Sequence, residues 1–191
     1  MMIKNIVKRI LGWLRAKRFG VVAGQGVYIG NNVHIVNGRN MTIGRNVSIR
    51  PNCDLFAGQK FKIGDNCDIG IRNRIAGDVI IEESVLFGPD NYISSTDHCY
   101  EDINRLVMEQ GAYSPHRNGH EEILIGKGSW IGTHCAIIGD VHIGEHCIIG
   151  ANSVITKDIP SFCVVIGAPA KIIKKYNFEK EEWECVYEEN A

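Results

Sequence analysis

Every sixth residue from 125 to 155 is isoleucine: Ile125, Ile131, Ile137, Ile143, Ile149 and Ile155. Glycine follows four of them directly, at Gly126, Gly132, Gly144 and Gly150. A mostly small residue stands two positions before each later isoleucine, at Ser129, Cys135, Val141, Cys147 and Ser153. A period of six matches neither the helical period of about 3.6 nor the alternation of a plain strand. It matches a short strand and a corner repeated three times per coil. Each large aliphatic then points inward and stacks on the one about 18 residues away.

The same phrase returns upstream with slips, through Ile29 and Ile35, Ile43, Ile49 and Leu55, Ile63, Ile69 and Ile75, then Ile81, Phe87 and Ile93. Cys53 and Cys67 occupy the tight slot there. Asparagine and aspartate in "IGNNV", "IGRNV" and "IGDNC" suit left-handed backbone at the corners. Residues 22–94 and 123–160 together allow roughly six coils of about 18 residues each.

A chain of 191 residues with 45% hydrophobic residues can bury one sizeable core. Its net charge of -1 carries no global sign of nucleic-acid binding. The charge is nevertheless segregated. Residues 1–20 hold Lys4, Lys8, Arg9, Arg15, Lys17 and Arg18 and no acid, whereas residues 179–191 hold six glutamates against one lysine. Seven cysteines without a CxxC pair, four of them in tight slots, point to reduced buried thiols and a reducing, cytoplasmic compartment rather than a disulfide framework. No apolar run reaches the roughly 18 residues of a membrane span, and the first 20 residues mix charge and apolar side chains too closely for a signal-peptide core.

A solenoid exposes its ends. Ile3, Ile6, Val7, Ile10, Leu11 and Leu14 form a helical stripe with basic residues between them. This favours an amphipathic helix over residues 1–20 capping the first coil. Contact of residues 1–18 with an anionic membrane surface stays open as the second reading. Residues 176–191 read as an acidic tail or a short helix.

From Ser94 to about Glu122 the period vanishes, yet it leaves in register at Ile93 and resumes in register at Ile125. The segment is therefore a loop extruded from an intact coil, and a long insertion of this kind is usually functional or disordered. Tyr100, Ile103, Leu106, Val107, Met108 and Tyr113 offer apolar groups to pack it down. Its histidines are His98, His116 and His120. His98 stands near the root, where a rigid coil can aim it, and a neutral imidazole suits a general base; a plain surface histidine is the alternative. Cys99 is disfavoured as a nucleophile because adjacent residues of an extended chain point apart. Asp97, Asp68, Asp90 and Glu109 are candidate carboxylates to orient His98.

The phrases "SSTDHCYED", "GSWIGTHCAIIGDVHIGEHCIIGANSVITKDIP" and "VVIGAPAKIIKK" resemble the hexapeptide-repeat acyltransferases, closest to the sugar O-acetyltransferases of the galactoside/maltose and capsule/O-antigen group. The resemblance covers residues 22–175. It implies an all-β, left-handed parallel β-helix over 21–175 with an inserted loop at 94–122. It also implies an acetyl-CoA-dependent O-acetyltransferase acting on a sugar hydroxyl, working as a homotrimer with sites between subunits. His98 matches the family's catalytic histidine. The acetyl-CoA groove maps onto Trp130, Thr133, Ala151, Thr156, Lys157, Lys171 and Lys174, with the backbone N–H of Thr133 as the oxyanion donor. Relatives often carry arginine at the last two positions, and lysine keeps the charge without the bidentate fork. "DHCYEDINRLVMEQG" keeps the family's Gln-Gly ending at Gln110 and Gly111 but lacks its proline.

Some β-helices of this kind hold zinc through three histidines. Here the candidates are His134, His142 and His146, but His134 and His146 share a repeat slot two hexads apart, hence on different faces, and no metal is expected. Two other functions stay open: N-acetylation of a nucleotide-linked amino sugar, and a non-catalytic β-helix scaffold.

Overall fold

The computed structural model describes residues 11–113 and 122–186. The expectations placed on Ile3, Ile6, Val7 and Ile10, and on His116 and His120, lie outside these residues, as does the end of the acidic segment.

The chain winds into a left-handed parallel β-helix with three faces. The first face stacks Val22–Ala23, Met41–Ile43, residues 61–63, residues 79–81, Ile123–Ile125 and His142–Ile143, and ends in a bridge from Ile143 to Ile159. The second stacks Tyr28–Ile29, Ser48–Ile49, Asp68–Ile69, Leu86–Phe87, Trp130–Ile131, Ile148–Ile149 and Cys163–Ile166. The third stacks His34–Val36, residues 54–57, residues 74–77, Tyr92–Ser94, Ala136–Ile138 and Val154–Ile155.

The second face is seven strands deep, one more than the coil count expected from the sequence. The seventh strand is Cys163–Ile166, which lies past residue 160, the end of the regular hexad phrase. Early partners lie 20 positions apart, as in Val22↔Thr42 and Met41↔Phe61, and later ones 18 apart, as in Phe61↔Val79. The additional residues sit in corners, one of them a 3-10 turn at Gly38–Asn40.

The inward positions carry the core. Ile49, Ile69, Ile131, Ile137 and Ile143 are fully buried, each touching its counterparts in the coils above and below. Burying one such side chain stabilises by roughly 1.5–3 kcal/mol. The tight slots hold Cys53, Cys67, Cys135 and Cys147 as expected, and Cys163 as well. Asn73 and Asn91 occupy two further tight slots. The Asn73 Oδ1 accepts from the Asn91 N–H (3.0 Å) and the Asn91 Oδ1 from the Cys135 N–H (2.7 Å), so a polar ladder replaces an apolar one.

At two of the three corners every coil carries one residue with positive φ. Between the first and second faces the column runs Gly26, Asn46, Asn66, Ser84, Gly128, His146 and Phe162. Between the second and third it runs Asn32, Asn52, Arg72, Asp90, His134 and Asn152. Asparagine tolerates this backbone best among non-glycine residues. Where another type stands, its neighbours in the column hold it: Arg72 clamps Asp90 through two bonds of 2.6 and 2.7 Å, and His146 stacks on Phe162.

Both chain ends differ from expectation. Residues 11–18 form a helix that lies against the first coil through Gly12 and Ala16 rather than through Leu11 and Leu14, the two stripe residues among those described. A Cβ on Gly12 would lie 2.3 Å from the Val27 carbonyl oxygen, so only a residue without a side chain fits that approach. Leu11 and Leu14 stay exposed. At the other end there is no tail or helix over 176–186. Lys171–Asn177 adds antiparallel to Cys163–Ile166, and Glu182–Cys185 adds antiparallel to it in turn. Asn177 Oδ1 accepts from the N–H groups of Glu179 and Lys180 and so folds the connecting turn. Among the described residues no helix is long and apolar enough to cross a membrane.

Candidate active site

The extrusion is confirmed by register. Ile93 pairs with Ile137, 44 positions on, against 18 for an uninterrupted coil, so 26 residues are looped out of a continuous ladder. Ser94 and Ser95 remain in the coil as buried polar residues. Ser94 accepts from Gly139 N–H through its carbonyl oxygen (3.0 Å), and Ser95 Oγ accepts from Asp78 N–H (2.8 Å). These anchors were not singled out in the sequence; their signal was a pair of small polar residues directly after an in-register isoleucine.

The loop is not structureless. Asp97–His98 pairs antiparallel with Ala112–Tyr113, and Val107–Gln110 forms a single helical turn. Tyr100, Ile103, Leu106, Val107 and Met108 do not pack down: Ile103 is 93% exposed and Met108 89%. His98 stands in the hairpin with its side chain exposed, and Cys99 beside it is half-buried.

The four candidate orienting carboxylates are engaged elsewhere. Arg50 binds both oxygens of Asp68, and Arg72 binds both oxygens of Asp90. That guanidinium, with a smaller contribution from His134, holds the Asp90 carboxyl below the usual range. Glu109 accepts from the Leu106 N–H at the start of its own helical turn, and Asp97 Oδ1 accepts from the backbone N–H of His98 (2.8 Å). Among the described residues none bonds to the His98 ring.

The groove residues separate into two groups. Trp130, Thr133 and Ala151 line one apolar cavity of about 330 Å³ with Ile148 and Pro89, on the second face and its corner toward the third. Its floor is the column Gly88, Gly132 and Gly150, where a Cβ on Gly132 would lie 2.8 Å from the Ala151 backbone nitrogen. Gly132 and Gly150 are the glycines that follow hexad isoleucines in the sequence, and Gly88 follows Phe87 in the same way, whereas Pro89 has no such sequence signal. The outer line of this face runs Trp130↔Ile148↔Val164↔Lys174 in register, and Ile166 pairs with Lys171. With strands about 4.8 Å apart, Lys174 lies roughly 14 Å from Trp130 along the line. Thr133 Oγ1 donates to the Pro89 carbonyl (2.9 Å) and the Thr133 carbonyl accepts from Asn152 N–H (2.9 Å), while no acceptor among the described residues takes the Thr133 amide N–H.

Thr156 and Lys157 belong to a different edge. They follow Val154–Ile155 at the corner from the third face to the first, the same corner from which the His98 hairpin leaves two coils earlier. One chain therefore carries the His98 group and the Trp130 group on opposite edges of the third face.

The histidines weighed as zinc ligands are likewise dispersed. His134 stands at the second corner, His142 on the first face, and His146 at the first corner against Phe162. Among the described residues no three potential ligands come together. The buried thiols are equally unsuited to chemistry: burial pushes all five up, Cys147 to about 11.

Residues 122–157 match the family model described as bacterial transferase hexapeptide (six repeats). The chain is 37% identical over 109 residues to the putative lipopolysaccharide biosynthesis O-acetyl transferase WbbJ of Escherichia coli, covering 53% of this chain and 56% of that protein. It is 34% identical over 122 residues to the galactoside O-acetyltransferase of the same organism, covering 63% and 56%. The chain thus spans little more than half the length of these relatives. Among solved structures, AntD, an N-acyltransferase from Bacillus cereus in complex with dTDP and 3-hydroxybutyryl-CoA, superposes with a TM-score of 0.73 at 21% identity over 88% of this chain and 90% of that one. At that identity the likeness concerns the fold.

Proposed function

We proceed from the chain's membership of the hexapeptide-repeat transferases, and from it we propose that the chain is an acetyl-CoA-dependent acetyltransferase that modifies a sugar hydroxyl. The observation that carries this reading is the second face: an apolar, glycine-floored cavity at Trp130, with lysines one end of the line and a backbone amide at Thr133. A coenzyme A arm needs cations for its phosphates and an apolar bed for its pantetheine. Lys171 and Lys174 supply the first, and Trp130 with Ile148 the second. Thr156 and Lys157, on the opposite edge of the third face, reach the same donor from a neighbouring copy.

His98 accepts the proton of the acceptor hydroxyl as that oxygen attacks the thioester carbonyl. The Thr133 amide N–H donates to the oxyanion of the tetrahedral intermediate. His98 then returns its proton to the departing thiolate. Direct transfer of this kind needs one base and no covalent enzyme intermediate.

Because one chain carries His98 and the Trp130 cavity on separate edges, the site is assembled between neighbouring copies in a homotrimer. The hairpin of one copy reaches the groove of the next. Exposed Ile103, Leu106 and Met108 on that hairpin support this, since a neighbouring copy would cover them. The buried, high-pKa thiols support a reducing cytoplasmic setting.

His98→Ala should lower turnover on the true acceptor by about 10²–10⁴-fold, the usual worth of general-base help. A near wild-type rate with coenzyme A still bound would remove His98 from this role. The likeness to AntD, an N-acyltransferase, gives a second reading: acylation of an amino sugar on a nucleotide. An amine that binds deprotonated needs the base less. Rates on paired amino and hydroxyl sugars, with and without His98, separate the two.

A further inference from the structure

The N-terminal helix turns its apolar side away from the molecule. Its docked side is built from Gly12 and Ala16, the latter 1% exposed, and from Arg15, whose guanidinium donates to the Ile29 carbonyl (2.6 Å) and to Asn31 Oδ1 (2.8 Å). At roughly 100° per residue, Leu14 falls about 180° from the midline of Gly12 and Ala16. Leu11, Trp13 and Leu14 are 46%, 53% and 48% exposed on this outer side. Lys17 and Arg18 stand among them, with the Lys17 ammonium 5.4 Å from the centre of the Trp13 ring. In the sequence, Ile3, Val7 and Ile10 precede Leu14 by 11, 7 and 4 residues, the spacing of a single helical face.

We propose that this outer side, through Leu11, Trp13, Leu14, Lys17 and Arg18, seats the protein on an anionic lipid bilayer. Three observations converge. Over residues 11–18 the contact with the coil is made by small residues and one arginine, so Leu11, Trp13 and Leu14 have no part in it. Leucine and tryptophan among lysine and arginine is the composition of a helix lying in a membrane interface. Residues 1–20 contain six basic residues and no acid, which fits a surface of negative charge. A second copy docked on the same side would set Lys17 and Arg18 against their own equivalents, so the charge disfavours self-association there. The inference does not rest on the acetyl-transfer reading.

The test is sedimentation of the full chain with phosphatidylcholine–phosphatidylglycerol vesicles against phosphatidylcholine vesicles alone. The anionic vesicles should bind at least about tenfold better, and added salt should weaken the binding. Leu14→Glu and Trp13→Ser should each lower binding by about tenfold or more with an unchanged melting temperature, because neither residue is packed on the coil. Lys17→Glu combined with Arg18→Glu should do the same without altering apolar area. The proposal is overturned if the full chain ignores anionic vesicles, or if Leu14→Glu binds them as tightly as the parent. It is overturned equally if Leu14→Glu converts a larger assembly into a smaller one, for then another copy covers the helix.

Discussion

The smallest scale at which the fold is decided is a single tight slot. On the second and third faces the slot two positions before the inward aliphatic takes no side chain larger than valine or asparagine, and cysteine fills it five times, whereas the first face admits Met41, Phe61 and Ile123 there. Four of the five buried thiols point at a backbone carbonyl of the next coil, Cys53 at Gly70 and Cys67 at Glu82, both 3.0 Å away. Burial raises these thiols above their ordinary value of 9.0, Cys147 to about 11. An acid whose folded pKa is raised contributes stability below its unfolded value and loses it as pH climbs toward the folded one. Resistance to urea should therefore hold up to about pH 9 and fall between there and about pH 11. At neutral pH, iodoacetamide should label Cys185, which is exposed, and Cys99, which is half-buried, in the native protein. The other five should react only after unfolding; labelling of Cys147 in the native state would contradict the packing.

At the scale of the element, the extruded hairpin is separable from the coil that bears it. Deleting residues 97–122 removes 26 residues and restores the six-residue step from Ile93 to Ile125. The shortened chain should keep its β-sheet circular dichroism and cooperative melting, because no ladder is cut, and should lose transfer with His98 gone. A collapse of the sheet signal would mean that the hairpin supports the coil. The two ends of the chain make the opposite point. The C-terminal strands were hidden in the sequence because their partner, Cys163–Ile166, precedes them by only a short turn and the glutamates mask the alternation "EWEC". At residues 11–18 helix periodicity identifies an apolar side without saying which side is docked. Gly12 and Ala16 settle that by steric fit, which no hydrophobicity pattern encodes.

At the scale of the whole molecule, the groove on the second face is what a coenzyme would feel. Coenzyme A at 100 times its dissociation constant should stabilise the folded state by about 2.7 kcal/mol, read as a rise in melting temperature. Trp130→Ala should reduce that rise, since the ring is 48% exposed and walls the cavity without supporting the core. A scaffold with no site would melt at the same temperature with and without the coenzyme.

The hexad register by itself determined the β-helix, the identity of the inward residues and the boundaries of the extrusion. A period of six admits only one way to bury every sixth side chain. It also placed His98 at the root of the hairpin and assigned the small residues to their slots. Tertiary structure alone decided which corner each residue occupies, because the extra residues of the early 20-residue coils are taken up in corners while the inward positions stay stacked. It alone brought Trp130, Thr133 and Ala151 into one cavity, committed Asp68 and Asp90 to arginines, and left the apolar side of the first helix facing outward. Those are matters of distance between coils, and distance between coils is set by stacking rather than by order along the chain.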